Sequence, residues 1–307
     1  MGVIYCSGPM SGLPNNNYEE FHKNTKFLRD LGWTVISPAE MDAALGVDPT
    51  QPFSEEQYLN TLRHDYKALA DCDAIAFIPG WESSRGARLE SDFANVLKLD
   101  RYRVDASTSY FEKELVLAFC GYAQSGKDTI ARQFINEAGF ERKGFADALK
   151  SMLYDLNPII KIHFVDEIYG TSQQRMSDIV DKLGWEEAKK ISEIRELLQR
   201  LGTEAGRKSM GNDIWINTLF STPHKARLVI PDLRFYNEAE EVRRRGGVVI
   251  RIIRDGVGPV NNHSSEQIDF EYDITIYNNG TPREAYIKIT EQLHEFGIHL
   301  EPQLLSI

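Results

Sequence analysis

The segment Glu114–Thr129, ELVLAFCGYAQSGKDT, restricts the fold of this chain more than any other. Its apolar run Leu115–Cys120 has the length and composition of a buried parallel strand. A glycine-containing turn follows, and an apolar pattern at helical spacing begins at Ile130. Such a turn directs backbone N–H groups at a phosphate, and the helix N-terminus adds partial positive charge. The segment therefore predicts a phosphate-binding loop in which Lys127 approaches the β- and γ-phosphates.

The residues after Lys127 depart from the usual phosphate-binding loop, the P-loop, which has Ser or Thr directly after the lysine. Here Asp128 comes between Lys127 and Thr129. Nucleoside monophosphate kinases of the adenylate kinase type also place one residue at this point. We therefore expect Thr129 to supply the hydroxyl group for Mg²⁺, with Asp128 as an alternative ligand, directly or through water.

Composition narrows the class of protein. A length of 307 residues favours two domains over a single core. The formal net charge is −11, and acidic residues outnumber basic ones on both sides of residue 112, so no polymeric nucleic acid is expected as a ligand. Cys6, Cys72 and Cys120 lie in or beside apolar runs, as buried thiols in a reducing cytoplasm do. No apolar run reaches membrane-spanning length, so no membrane association is expected. We expect a cytoplasmic homo-oligomer whose ligands are small molecules.

Strand and helix patterns alternate along both halves, which is typical of parallel sheets covered on both faces. The stretch Asp100–Lys113 has no helical period, and we place a domain boundary within it. The predicted fold class is α/β with two domains. Residues 1–106 would form a small flavodoxin/Rossmann-like parallel sheet, 107–113 a linker, and 114–307 a P-loop α/β domain.

Local signals predict individual elements. Capping boxes, with Glu or Gln three residues after a polar N-cap, are expected at Asn17, Ser54 and Thr281. Helical patterns dominate Ser172–Leu219. Further strands are expected at Leu228–Ile230, Val248–Ile253 and Ile274–Tyr277.

Asp232 follows the expected strand Leu228–Ile230. A carboxylate at the carboxyl end of a strand beside a phosphate-binding loop can hold Mg²⁺, usually through water. The alternative is a turn residue that pairs with Arg234. We favour the metal role because the phosphate-binding loop is adjacent.

Six motifs in the second half carry a resemblance. They are GYAQSGKDT at 121–129, FADALK at 145–150, LQRLGTEAGR at 198–207, DIWINTL at 213–219, IPDLRFYNE at 230–238 and HSSE at 263–266. With these motifs, residues 114–297 resemble the phage-type deoxynucleoside monophosphate kinases. The resemblance implies a nucleoside monophosphate kinase-like domain that transfers the γ-phosphoryl group of ATP, with Mg²⁺, to a deoxynucleoside monophosphate. If a phage encodes the chain, this would take place in the host cytoplasm.

The same resemblance implies roles for single residues. Asp147, Arg207 and Trp215 would lie at or near the acceptor, and Arg234 would act near the phosphates as a catalytic residue with Lys127. His263 stays open between a catalytic acid, an acceptor contact and a structural hydrogen bond. Segment 195–207 is a candidate lid. The contacts to ATP would come from Gly121, Gln124, Ser125, Gly126, Lys127, Asp128 and Thr129.

Two carboxylates stand out in the first half. Asp65 lies on an apolar-faced helix before the third strand, and Glu90 lies in the first turns of the next helix. The carboxyl edge of a parallel sheet forms the ligand crevice. One carboxylate as nucleophile and one as acid is the arrangement that breaks an N-glycosidic bond with retention. Taken alone, the pair is better interpreted as solvated surface charge.

The surrounding motifs change that interpretation. They are GPMSG at 8–12, Asp65 eight residues before Asp73, PGWESS at 79–84 and GARLE at 86–90. With them, residues 3–100 resemble the nucleoside 2-deoxyribosyltransferase superfamily, and most closely its small phage and bacterial branch. The resemblance implies that Glu90 is the nucleophile at C1′ and that Asp65 positions and protonates the base.

Three further residues would contact the substrate of this first domain. They are Gly8, Ser11 and Ser84. Ser84 matches a serine that holds a 5′-phosphate in the nucleotide N-hydrolase branch, whereas Ser11 stands where that branch has an arginine. The sequence therefore leaves open whether nucleosides or nucleotides bind.

The combined prediction is a bifunctional enzyme of deoxynucleotide metabolism, with a kinase domain and a domain that cleaves or transfers the base–deoxyribose bond. One alternative is a kinase whose first domain only binds nucleotide or mediates oligomerisation. Another is a P-loop regulator that senses nucleotide without turnover.

Overall fold

The computed structural model describes residues 2–48, 50–51, 54–163, 171–259 and 268–300. The first half forms a five-stranded sheet in the order β2-β1-β3-β4-β5, parallel except for the last strand. Its strands are β1 (Val3–Ser7), β2 (Thr34–Ile36), β3 (Ala74–Phe77), β4 (Asp100–Asp105) and β5 (Tyr110–Lys113). Its helices are α1 (Tyr18–Asp30), α2 (Pro38–Ala44), α3 (Glu55–Ala70) and α4 (Arg85–Val96).

The core of this half lies on both faces of its sheet, because successive side chains of a strand point to opposite sides. Ile4 and Cys6 of β1 pack with α1 and α2, and Tyr5 packs on the other face with α3 and α4. Tyr5 and Ser7 of β1 therefore face α4, the helix that carries Glu90. Cys6, Cys72 and Cys120 are buried free thiols, as expected.

The second half forms a five-stranded parallel sheet in the order β12-β11-β6-β10-β7. Its strands are β6 (Leu115–Cys120), β7 (Glu141–Arg142), β10 (Arg227–Ile230), β11 (Val248–Ile253) and β12 (Ile274–Tyr277). A separate antiparallel hairpin consists of β8 (Ile159–His163) and β9 (Thr171–Arg175).

Helices cover both faces of this second sheet, with α5 and α12 on one face and α6, α10 and α11 on the other. They are α5 (Lys127–Ala138), α6 (Asp147–Leu156), α7 (Met176–Ala188), α8 (Ser192–Arg200), α9 (Lys208–Met210), α10 (Ile214–Phe220), α11 (Tyr236–Arg244) and α12 (Pro282–Glu295). A π-helical segment, Leu201–Arg207, joins α8 to α9. No helix in the described ranges is both long and apolar enough to cross a membrane.

The predicted α/β fold class, with two sheets of mainly parallel strands, is confirmed. The capping boxes at Ser54 and Thr281 are present. The capping box at Asn17 is wrong, because Asn17 has a left-handed backbone and its amide donates to the Pro9 carbonyl instead. The β8–β9 hairpin was not predicted, and β9 occupies the start of the stretch Ser172–Leu219 that was expected to be helical.

The stretch predicted as a linker, 107–113, contains β5, which pairs with β4. Strand β5 lies at the edge of the sheet, and its four residues contain too short an apolar pattern to be predicted as a strand from the sequence. We propose that the first domain extends through β5 and that the second begins at β6.

A buried ionic cluster lies where β5 leads into β6. Glu114 accepts hydrogen bonds from Arg101 Nε at 2.7 Å and from Arg103 Nε at 2.5 Å. Burial alone would raise the pKa of Glu114, but the two guanidinium groups lower it to about 2. Arg103 also pairs with Glu82 of the first half and contacts His224 of the second. The cluster therefore joins the two sheets through charge.

Candidate functional site

The first candidate site lies at the carboxyl edge of β1 and is centred on Glu90. The Glu90 carboxylate is only 6% exposed and accepts hydrogen bonds from Tyr5 Oη at 2.9 Å and Ser7 Oγ at 2.5 Å. Tyr5 and Ser7 are two residues apart on one strand, so both hydroxyl groups point to the same face. They fix both carboxylate oxygens. Sequence reasoning missed them, although two hydroxyl residues at this spacing in an apolar strand were a visible signal.

The pKa values of Glu90 and Asp65 are both raised, in each case mainly by burial. Burial raises the pKa of Glu90, whereas the hydrogen bonds from Ser7 and Tyr5 lower it. Burial also raises the pKa of Asp65 to about 8, with further contributions from the charges of Glu90 and Asp42. Asp65 Oδ1 is buried and accepts no hydrogen bond from the described residues. The raised pKa favours the protonated form of Asp65 near neutral pH, next to a Glu90 side chain that two hydroxyl groups orient.

The other predicted residues of this site are at its rim. A Cβ atom on Gly8 would lie 2.2 Å from Ile78 Cγ1, so only glycine allows the loop after β1 to approach β3. Ser11 is exposed in the same loop. Ser84 Oγ accepts the Ala87 N–H as the N-cap of α4. Their predicted substrate contacts stay predictions.

The second candidate site is the loop between β6 and α5. Gly121 and Gly126 have φ values of 143° and 95°, and a Cβ atom on either would lie 2.3 Å from a neighbouring atom. Gln124 also has a left-handed backbone. The Asn278 side-chain amide donates to the Ser125 carbonyl at 2.8 Å and braces the loop. Sequence reasoning missed Asn278, because it follows β12 far along the chain.

Lys127 begins α5 and is 8% exposed. Its ammonium group donates to the Tyr122 carbonyl at 2.6 Å and lies 3.4 Å from Ser125 Oγ. The lysine therefore spans the loop on its concave side, next to the α5 N-terminus. This arrangement of backbone amides, lysine and helix dipole is suited to polyphosphate.

The predicted metal ligands lie in two places, Asp128 and Thr129 in α5 and Asp232 after β10. Asp128 and Thr129 are exposed in the first turn of α5. The charges of Asp128 and Asp232 both raise the pKa of Arg142. The expectation that Thr129 is the metal-side ligand, with Asp128 as the alternative, stays a prediction. No group of three or more metal-binding side chains occurs among residues that the structure describes.

Asp232 has an additional structural task. Its two oxygens accept the backbone N–H groups of Phe145 and Ala146, at 2.9 and 3.0 Å. Asp232 therefore anchors the start of α6 to the end of β10, and each oxygen keeps one lone pair. A metal contact through water is compatible with this arrangement.

Of the predicted acceptor residues, two are packed inside the domain. Arg207 is 8% exposed, donates to Glu238 Oε1 and the Asn212 carbonyl, and stacks over Phe235. Trp215 is 5% exposed, and its indole N–H donates to the Gly202 carbonyl. Both brace the π-helical segment of the predicted lid. Their acceptor roles stay predictions.

The remaining predicted residues are placed as follows. Asp147 is at the start of α6 and accepts hydrogen bonds from Gly144 N and Arg142 Nη1. Arg234 lies in the turn after β10, where its backbone N–H donates to Glu238 Oε2. His263 lies outside the described residues.

A cavity of about 460 Å³ lies beside α6. We call it the α6 cavity. Six side chains from three elements line it, of which two are cationic and two are aromatic. They are Arg142, Asp147, Lys150, Ser151, Tyr154 and Trp185. Its volume would accommodate a small molecule.

Comparison with known proteins gives two family matches and one close relative. Residues 2–101 match a "Domain of unknown function (DUF4406)" and residues 156–289 match "Deoxynucleotide monophosphate kinase". A protein of Acanthamoeba polyphaga mimivirus, described as "Putative deoxynucleotide monophosphate kinase", is 30% identical over 192 residues, which are 57% of this chain and 94% of the mimivirus protein. The chain belongs to the deoxynucleotide monophosphate kinase family.

Family membership confirms the kinase resemblance of the second domain. The solved structure of shikimate kinase from Aquifex aeolicus vf5 is also similar, with a TM-score of 0.33 and 11% identity, over 60% of this chain and 98% of that one. The description that matches the first domain names no activity. Its resemblance to nucleoside 2-deoxyribosyltransferases therefore stays a prediction.

Proposed function

We propose that the second domain of this kinase-family chain uses ATP and Mg²⁺ to phosphorylate a deoxynucleoside monophosphate. The observation that carries the proposal is the braced loop between β6 and α5, with Lys127 across its concave side. Loop amides and the lysine would hold the donor phosphates. Family membership supplies the acceptor class.

The protein contributes mainly position and charge to this reaction. The acceptor phosphate oxygen must approach the γ-phosphorus in line with the leaving group, while positive groups neutralise the spreading negative charge. Lys127 and Arg234 would provide positive charge for that task. Thr129 and Asp232 would hold Mg²⁺, with Asp128 as the alternative ligand, and oxygen atoms are the ligands that Mg²⁺ prefers. When bound, the ion adds charge neutralisation between the phosphates.

The direct test is incubation of the whole protein with dAMP, dCMP, dGMP and dTMP, with and without Mg·ATP, followed by chromatography. We expect ADP and at least one deoxynucleoside diphosphate to form together. ATP binding without acceptor-dependent turnover would instead identify a nucleotide sensor.

As a second function, we propose that the first domain cleaves or transfers the N-glycosidic bond of a deoxynucleoside or its 5′-monophosphate. The supporting observation is Glu90 between Tyr5 and Ser7, beside Asp65 with its raised pKa. A Glu90 oxygen would bond to C1′ as the C1′–N bond breaks, and Asp65 would give its proton to the departing base. Water or a second base would then release the sugar, with net retention.

The covalent step defines the experiment for this second function. The same incubations, quenched with acid and digested, should show a deoxyribosyl adduct on the peptide that contains Glu90, together with free base. Absence of base release from every nucleoside and nucleotide tried would favour the alternative of a non-catalytic first domain that binds nucleotide or mediates oligomerisation.

A further inference from the structure

We propose that a cavity between the two halves binds a neutral nucleobase or nucleoside, with a base carbonyl oxygen at Asn95 and Arg101 and the ring against Tyr236. We call it the junction cavity. Its volume is about 900 Å³, and its walls come from the end of α4 and the start of β4 on one side and from α10 and α11 on the other. Neither Glu90 nor Lys127 lines it, so the site is separate from both proposed reactions.

Two buried hydrogen-bond donors lie at the wall of the junction cavity without acceptors. Asn95 Nδ2 and Arg101 Nη2 are shielded from water, and neither donates a hydrogen bond to any residue that the structure describes. Both residues line the cavity, and Arg101 is only 4% exposed. Buried donors are normally paired, because an unpaired one has given up its hydrogen bonds to water. An acceptor oxygen bound at this wall would supply the missing partner.

These two donors are held close together. Arg101 Nη1 donates to Asn95 Oδ1 at 2.9 Å, so the two unused donors flank a single hydrogen bond. Arg101 Nε donates to Glu114 at 2.7 Å, and its guanidinium group lies over the ring of Phe77, 4.6 Å from the ring centroid. These contacts prevent the guanidinium group from turning to another acceptor. One oxygen atom with two lone pairs is therefore suited to accept from both donors.

The charges around the junction cavity favour a neutral ligand. Four cationic and four acidic side chains line it, so the lining carries no formal net charge. Several of these charges pair within the lining itself, since Arg244 contacts Glu241 at 2.8 Å and Arg243 contacts Glu240 at 3.3 Å. A phosphate dianion would meet as many carboxylates as cations here, whereas a neutral ligand has no charge to desolvate.

Tyr236 provides a face for an aromatic ring. It begins α11, lines the cavity and is 62% exposed, and bases stack on aromatic side chains of this kind. Asn217 is an exposed residue of the same lining, and its amide group can both donate to and accept from the polar edge of a base. A flat, neutral ring with carbonyl oxygens fits the stacking face and the buried donors together, and nucleobases have this chemistry.

The place of the cavity between the halves agrees with a ligand site, because small-molecule sites occur preferentially at domain interfaces. Ion pairs hold the halves together, between Arg244 and Asp92 at 2.5 Å and between Arg227 and Glu112 at 2.7 Å. A base bound in the junction cavity would add contacts to both halves. It should therefore raise the melting temperature of the whole chain.

Calorimetric titration of the whole protein tests the proposal, in a Glu90→Gln background that prevents turnover. The probes are adenine, cytosine, thymine and hypoxanthine, their deoxynucleosides and the corresponding monophosphates. We expect a base or nucleoside with a carbonyl oxygen to bind, and adenine, which has none, to bind more weakly. Adenine bound as tightly as the others would overturn the pairing of a carbonyl oxygen with Asn95 and Arg101.

Asn95→Asp should weaken this binding roughly tenfold or more, because it replaces the unused donor by a negatively charged acceptor. The variant keeps the oxygen that accepts from Arg101. Asn60→Asp is the matched control, since Asn60 also accepts from an arginine, Arg63, but lies outside the cavity. The control should bind like the background protein.

Variants of Tyr236 locate the ring of the ligand. Tyr236→Ala should weaken binding several-fold and Tyr236→Phe should not, because stacking needs the ring and not the hydroxyl group. Binding unchanged in Asn95→Asp and Tyr236→Ala, with thermal unfolding as in the background protein, would place the ligand in another crevice and overturn the proposal. No binding by any base or nucleoside, or binding by the monophosphates alone, would also overturn it.

Discussion

The two crevices of this chain occupy the same place in their sheets but hold opposite kinds of side chain. Each lies at the carboxyl edge of parallel strands, beside the N-terminal part of a helix. The crevice of β1 gathers buried acids and hydroxyl groups around Glu90. The crevice of β6 gathers a buried lysine, backbone amides and further cations. Sheet topology thus sets the place of a site, and a few side chains set its chemistry.

Burial acts in opposite directions in the two crevices. It raises the pKa of Asp65 in the first and lowers the pKa of Lys150 in the second, because each loses water around its charged form. The acid thereby becomes a proton donor for a leaving base. The lysine holds its positive charge less readily than it would in water. Each of the following variants should affect one crevice and leave the other unchanged.

The largest effect is expected for Glu90→Gln. The amide keeps the shape of the side chain but cannot form the ester at C1′, so base release and the peptide adduct should disappear. Kinase turnover should equal that of the wild type. Chromatography of both product classes from one incubation measures this. Undiminished base release would show that the first crevice works without a covalent intermediate.

Lys127→Ala is expected to impair phosphorylation and to leave base release unchanged. Loss of a charge that stabilises the transferring phosphoryl group should lower kcat for phosphorylation by roughly 10²–10³-fold. Base release should be unaffected, since Glu90 is in the other sheet. Initial rates in a coupled ADP assay provide the measurement. Turnover within a few-fold of wild type would contradict the role of the loop.

Asp65→Asn should slow base release by roughly 10²-fold and change its pH dependence. Asp65 must be protonated to donate, and its pKa is about 8, so the wild-type rate should fall as pH rises through 8. The variant should lack that fall. Rates between pH 5 and 9.5 decide the point, and a fall kept in the variant would assign the titration to another group.

The stability of the same variant should follow the sign of the pKa shift. The folded protein binds a proton at Asp65 that the unfolded chain has already lost, so ionisation destabilises the fold as pH rises toward 8. In Asp65→Asn the melting temperature should therefore fall less between pH 5 and pH 9.

The smallest effect concerns the metal side of the second crevice. Thr129→Ala should raise the Mg²⁺ concentration needed for half-maximal rate by several-fold, and Asp128→Asn by less, since Thr129 is expected to supply the metal-side hydroxyl group. Titration of Mg²⁺ against initial rate compares the two. The opposite ranking would make Asp128 the ligand instead.

The sequence predicts the parts of both crevices that depend on residues close together in the chain. Strand β6, its loop and the cap at Thr281 follow from local patterns, and all are present. The partners of Glu90 could not be predicted this way, because Tyr5 is 85 residues away and meets it only after β1 and α4 pack. The burial of Arg207 and its pairing with Glu238 could not be predicted either, because neither can be read from a motif.

The ionic cluster at Glu114 makes the stability of each half depend on the other half. A break after Lys113 would leave Arg101 and Arg103 on one fragment and their shared carboxylate on the other. Removing one partner of such a buried pair costs roughly 3–5 kcal/mol. Two separately made halves would therefore recover their stability only by reassociating, as complementing fragments do. In the intact chain the two halves are covalently linked, so their association does not depend on protein concentration. A mutation in the ionic cluster at Glu114 should therefore affect both halves.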